Sequence, residues 1–142
     1  MKQSKIIFIV LGLLLLAVLS TSLSFYIYNS TKTETDKEVE ILVVIDFGTL
    51  TSADDYIVQY VNVTEGKSAY YAFSLVVELT VRYDPLIGGV FVEGVNGYMQ
   101  SGDDYWYFYY YDIEQEKWSP APVGVSHYYL YEGDRIKLAY SG

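Results

Sequence analysis

The side chains able to do chemistry in this sequence are one histidine, a scatter of serines, two adjacent aspartate pairs and seventeen tyrosines, with no cysteine among them. The missing thiols exclude disulfides, cysteine nucleophiles and Cys-ligated zinc or Fe–S centres together. Asp54-Asp55 and Asp103-Asp104 set carboxylates side by side in two expected turns. A hard cation such as Ca²⁺ takes about six to eight oxygens, so a bare pair falls short of a ligand loop. Turn chemistry and solubility account for both pairs, and no metal site is expected. His127 sits on an expected strand with no orienting partner, no serine occupies a nucleophile elbow, and no glycine loop could cradle a phosphate. Neither a catalytic residue nor an enzyme is expected.

The tyrosines are the better candidates because they are concentrated. In the run Tyr105 to Tyr111, period-two alternation puts Trp106, Phe108 and Tyr110 on one face and Tyr105, Tyr107, Tyr109 and Tyr111 on the other. Only one face of a sheet can meet a covering layer, and the tryptophan face is the natural core side. A row of tyrosines is then left open, with Tyr129 and Tyr131 expected to extend it from a neighbouring strand and Trp118 standing nearby. Cross-strand packing is one reason for such a row. Binding is the other, since tyrosine offers a rigid surface and a hydroxyl at low entropic cost. Those seven residues are the candidate ligand- or partner-binding set.

Positioning them takes a fold, and the chain divides readily into parts. Residues Ile6 to Tyr28 form an uncharged, mostly apolar run of 23, with Lys2 and Lys5 before it. That length suits a membrane-spanning helix of roughly 20 residues better than a signal-peptide core of about 7–15. Residues 1–28 are therefore expected to be an uncleaved single-pass anchor with the remainder outside the cell. Cleavage near Ser20-Thr21-Ser22 would instead give a secreted domain. Residues 29–37 read as a polar stalk and 38–142 as one folded domain. Asn29-Ser30-Thr31 and Asn62-Val63-Thr64 fit the N-glycosylation pattern.

Within the domain, Ile41 to Phe47 and Tyr56 to Val63 read as a strand hairpin. Ser68 is placed to cap a helix, with helical spacing from Ala69 up to Tyr83, where Asp84-Pro85 stops it. Strands follow at Val90–Glu93, Tyr105–Tyr111, Tyr128–Tyr131 and Arg135–Tyr140. One helix among many strands, without βαβ alternation, implies an α+β fold with the helix packed on a mostly antiparallel sheet. From Asp36 onward there are 17 acidic and 6 basic residues, a net of −11. Nucleic acid and anionic lipid surfaces are excluded as partners on that ground.

Several segments together resemble the transcobalamin-like C-terminal domain, a β-grasp family of extracellular domains largely of unknown function. They are Phe47-Gly48, Val63 to Ala69, Phe91 to Gly97, Trp106-Tyr107-Phe108-Tyr109, Ala121-Pro122-Val123-Gly124 and Tyr128 to Ile136, with the last three in order the most specific. Where the family usually places an Asn-Gly turn after the tryptophan strand, this chain makes a longer, acidic excursion from Tyr111 to Trp118. The resemblance implies a β-grasp domain; no cofactor is expected from the residues themselves, and cobalamin enters through the resemblance alone. The function expected is a membrane-anchored extracellular binding module for a small molecule or glycan. The alternative is a structural cell-envelope protein that associates with itself, a surface layer or a filament.

Overall fold

The computed structural model describes residues 36–51 and 55–141. The expected anchor, most of the stalk and Asn29 lie outside the described residues. Among the described residues no helix is long and apolar enough to cross a membrane.

The expected hairpin is present as β1 (Glu38–Asp46) and β2 (Tyr56–Thr64), antiparallel in an unbroken register from Glu38↔Thr64 to Asp46↔Tyr56. Alternation sends Val39, Ile41, Val43 and Ile45 into the core, each at most 1% exposed. The domain's last strand, β8 (Arg135–Ser141), lies parallel to β1 on its other side. Next come β6 (Tyr105–Asp112) and β7 (Lys117–Pro120), giving a five-stranded sheet in the order β2-β1-β8-β6-β7. A second sheet holds β3 (Leu79–Asp84), β4 (Gly89–Val95) and the short β5 (Tyr98–Met99). Among the described residues there is one α-helix, α1 (Ala69–Ser74), which buries Ala69, Ala72 and Phe73. The result is a sheet-dominated α+β fold.

Three segments differ from the sequence expectation. The helix is capped at Ser68 as expected, the serine hydroxyl accepting from Tyr71 N at 3.4 Å, but it ends at Ser74 rather than Tyr83. From Leu79 the chain is a strand, because the β-branched Thr80 and Val81 find a partner in β4. Asn96 fixes that exit: its N donates to Glu78 O at 2.8 Å, and its side-chain oxygen accepts from Glu78 N at 2.9 Å. Asn96 and Gly97 both have positive φ, the two-residue turn that joins β4 to β5.

Tyr128–Tyr131 is not a strand of the sheet. Its backbone is drawn instead to the segment before α1, with Ala69 N donating to Tyr128 O and Leu130 N to Lys67 O, both at 2.8 Å. Leu130 is thereby pinned in the core, fully buried. The acidic excursion after Tyr111 is a hairpin that creates β7. Asp112 nucleates it by accepting from Glu114 N and Gln115 N, each at 3.0 Å.

Candidate functional site

Strand β6 has two halves with different neighbours. From Tyr109 to Asp112 it is covered by β7, but Tyr105–Phe108 has no strand on that side. There the chain leaves β7 through Pro120-Ala121-Pro122, and Ala121 N donates to Phe108 O at 3.0 Å. In the other sheet, β5 covers β4 only at Gly94 and Val95, so Val90–Val92 also presents an uncovered edge. Between these two edges, with Pro120–Val125 as the third wall, lies a cleft of about 580 Å³.

The lining is mainly apolar and aromatic, from Trp106, Phe108, Phe91, Tyr105, Tyr107 and Val125, with Arg82 and Gln100 as its polar side chains. Trp106 has its own polar group satisfied, Nε1–H donating to Tyr98 O at 2.9 Å, so what it offers the cleft is ring surface. Arg82 is held at the rim by Glu93 at 2.8 Å and lies 5.4 Å from the Phe91 ring centre. The third wall is tied down from two sides. Tyr70 N, in α1, donates to Val125 O at 2.9 Å, and Val90 N, in β4, donates to Ser126 Oγ at 3.2 Å. Close approach at this seam requires Gly89, where a Cβ would sit 2.6 Å from His127 Cε1. His127, expected on a strand, instead occupies this turn with Nδ1 3.2 Å from Ser126 Oγ. A cleft with walls anchored in this way is formed before any ligand arrives, which spares the ordering cost of binding.

The alternation expected along β6 is present. Trp106 is 7% exposed and meets Phe47 and Tyr140 edge-on, while Phe108 meets Phe73 of the helix. On the opposite face Tyr105 and Tyr107 are exposed, and Tyr109 and Tyr111 are half-buried. Trp118 joins them directly, since Tyr111 and Trp118 are register partners with ring centres 5.4 Å apart. Two cations from β8 lie on these rings: Lys137 Nζ is 5.1 Å from Tyr109 and 4.9 Å from Trp118, and Arg135 is 4.9 Å from Tyr111. Tyr129 and Tyr131 do not extend the row. They are exposed on the connection that pairs with the segment before α1.

Sequence reasoning did not bring Arg82, Phe91, Gln100 or the 120–125 wall to the site. No local pattern carries that information, because the cleft exists only where two sheets leave edges uncovered. Arg135 and Lys137 did have a signal, their strict alternation with the buried Ile136 and Leu138.

Behind the β6 core face, burial pushes the Tyr128 phenol up to about 12, with the charges of Asp134 and Tyr110 adding to the effect. Asp134 is itself raised by burial, partly offset by the hydrogen bond it accepts from Tyr131 N. Among the described residues no group of three His, Cys, Asp or Glu side chains could hold a metal ion.

No known family's model matches the sequence, and no curated protein does. Solved structures do match. Haptocorrin, in a crystal structure in complex with Cbi, superposes with a TM-score of 0.57 at 12% identity, over 78% of this chain and 26% of that one. The likeness is one of fold. This chain spans about a quarter of the haptocorrin chain's length. A candidate metal-binding protein from Ruminococcus gnavus superposes with a TM-score of 0.52 at 15% identity, covering 72% of this chain and 96% of its own.

Proposed function

We propose that the domain is a β-grasp-like binding module whose ligand is a small molecule held in the cleft between β4 and β6. The observation that carries this is the cleft itself. At about 580 Å³ it falls within the roughly 300–1,000 Å³ usual for small-molecule sites, and it has their composition, an apolar and aromatic lining with a few polar groups. The ligand this favours has a flat apolar body for Trp106, Phe91 and Tyr107, and a polar edge for Gln100 and Arg82. Haptocorrin's complex with Cbi and the resemblance to transcobalamin-like domains support a small-molecule reading and make cobalamin the first compound to try. The uncharged run from Ile6 to Tyr28 supports an outward-facing domain held at the cell membrane. The open tyrosine row, whose exposed members Tyr105 and Tyr107 also line the cleft, supports a contribution from the aromatic face to the same site.

The test uses the domain's own fluorescence. Trp118→Phe leaves Trp106, in the cleft wall, as the single tryptophan. Cobalamin, cobinamide and a panel of neutral glycans are then titrated against it. Gly124 lines the cleft, and a Cβ there meets only Val90 O at 3.9 Å, so Gly124→Phe can fill the space. Saturable quenching that Gly124→Phe abolishes in a folded protein is expected. Quenching that the plugged variant retains sinks the cleft as the site.

A further inference from the structure

We infer that the domain pairs with a second copy of itself through the free edge of β2, edge to edge and antiparallel. Edge strands invite pairing, and proteins usually protect them with charge, proline, bulges or shortness. The other outermost strands among the described residues are each protected in one of these ways, and the uncovered stretches of β4 and β6 face the cleft rather than an open edge of a sheet. β7 carries Lys117 and Pro120, β3 carries Arg82 and Asp84, and β5 is two residues long. β2 has no such device. Its nine residues, Tyr-Ile-Val-Gln-Tyr-Val-Asn-Val-Thr, include no charge, proline or glycine, and its register with β1 is unbroken.

The hydrogen-bond phase identifies which backbone groups are available. Phe47 N donates to Asp55 O and Glu65 N to Lys37 O, continuing the β1–β2 register beyond both ends. Odd-numbered residues of β2 therefore bond to β1, and Tyr56, Val58, Tyr60, Asn62 and Thr64 turn their N–H and C=O groups to the open side. These residues also carry the outer-face side chains. Val58 and Tyr60 are 62% and 64% exposed, well above the tyrosines of β6.

A two-fold axis at Gln59 satisfies both sets. Val58 of each copy stands opposite Tyr60 of the other, and Tyr56 opposite Asn62. Four outward pairs then form about eight hydrogen bonds, and a β-branched residue covers an aromatic one on each side of the axis. Charge selects this strand as well. Two domains of net −11 repel, and they can meet only where neither presents carboxylates. Across a β2–β2 seam the two copies of β1, which carry Glu40, are three strand spacings apart, at least about 14 Å and beyond the screening length at physiological salt. β1 and β8 separate β2 from β6, the cleft wall in this sheet, so this inference does not rest on the ligand reading.

Sedimentation equilibrium of the full chain in detergent, and of residues 37–142 alone, should give twice the single-chain mass. Val58→Pro removes an outward N–H while sparing every β1–β2 bond, and Tyr60→Lys adds the missing edge charge. Each should weaken the dimer by about tenfold or more while circular dichroism stays native. The chain has no cysteine, so Gln59→Cys is a clean probe, and its oxidation should give a covalent dimer where Tyr107→Cys gives none. A monomer overturns the inference. So does a dimer that both edge variants leave intact, or one that Gln59→Cys fails to cross-link.

Discussion

Replacing Trp106 by alanine empties the largest aromatic site on β6, and its cost can be built from the contacts the ring makes. The indole is 7% exposed, with its centre 5.6 Å from Phe47 and 5.3 Å from Tyr140, both edge-on. Each such pair contributes about 0.5–1.5 kcal/mol beyond area burial. The Nε1–H bond to Tyr98 O, 2.9 Å long, contributes about 1 kcal/mol, and losing it leaves a carbonyl without that donor. With transfer and cavity terms included, the loss is about 3–5 kcal/mol. Against a total of about 5–15 kcal/mol for a domain of this size, that removes about a fifth or more of its stability. At about 4–8 °C per kcal/mol the melting temperature falls by roughly 12–40 °C. Tyr107, one residue on, is 45% exposed and has one ring neighbour, Tyr105 at 6.3 Å, so Tyr107→Ala costs less than about 1 kcal/mol. Thermal melts followed by circular dichroism on residues 37–142, which form a compact unit, separate the two variants. Equal losses would mean that the faces of β6 are assigned the wrong way round.

Two further outcomes are expected. Tyr128 should titrate at about pH 12 when followed by the tyrosine Cζ resonance that Tyr128→Phe removes, and Asp134→Asn should lower that value by removing one of its causes. Its ordinary value is 10.0, so the unfolded chain loses this proton first, and the stability the neutral phenol gives is full below pH 10 and lost as pH rises towards 12. A Tyr128 resonance titrating at 10 would refute the burial argument. For the N-terminal segment, membrane-purified protein should retain residues 6–28, and N-terminal sequencing that begins between Ser22 and Asn29 would show cleavage instead.

What could be read in the sequence was whatever local periodicity encodes. The β1–β2 hairpin, the two faces of Tyr105–Tyr111 and the Ser68 cap are all set by residues within a few positions of one another. The errors come from competition over longer distances. Residues 75–83 have helical spacing, but β-branched side chains and an available partner in β4 make part of the segment a strand. Tyr128–Tyr131 has strand composition, yet its hydrogen bonds go to the chain before α1. The cleft was illegible for the same reason, since its walls come from Val90–Val92, Tyr105–Phe108 and Pro120–Val125, and only the packing of two sheets brings them together.

The parallel pairing of β1 with β8 also governs how the domain comes into being. The first and last strands are neighbours in the middle of the larger sheet, so the β2–β1 hairpin cannot join β6 and β7 until Arg135–Ser141 has been made. On a growing chain the core faces of β1 and β6 have no shared strand between them until Arg135–Ser141 has emerged. Closing a loop of that length before any sheet contact repays it is the slow route to a fold, and folding in milliseconds to seconds is the corresponding timescale. Loss of a few residues from β8 would thus do more than fray an end: it would divide the larger sheet into two separate ribbons.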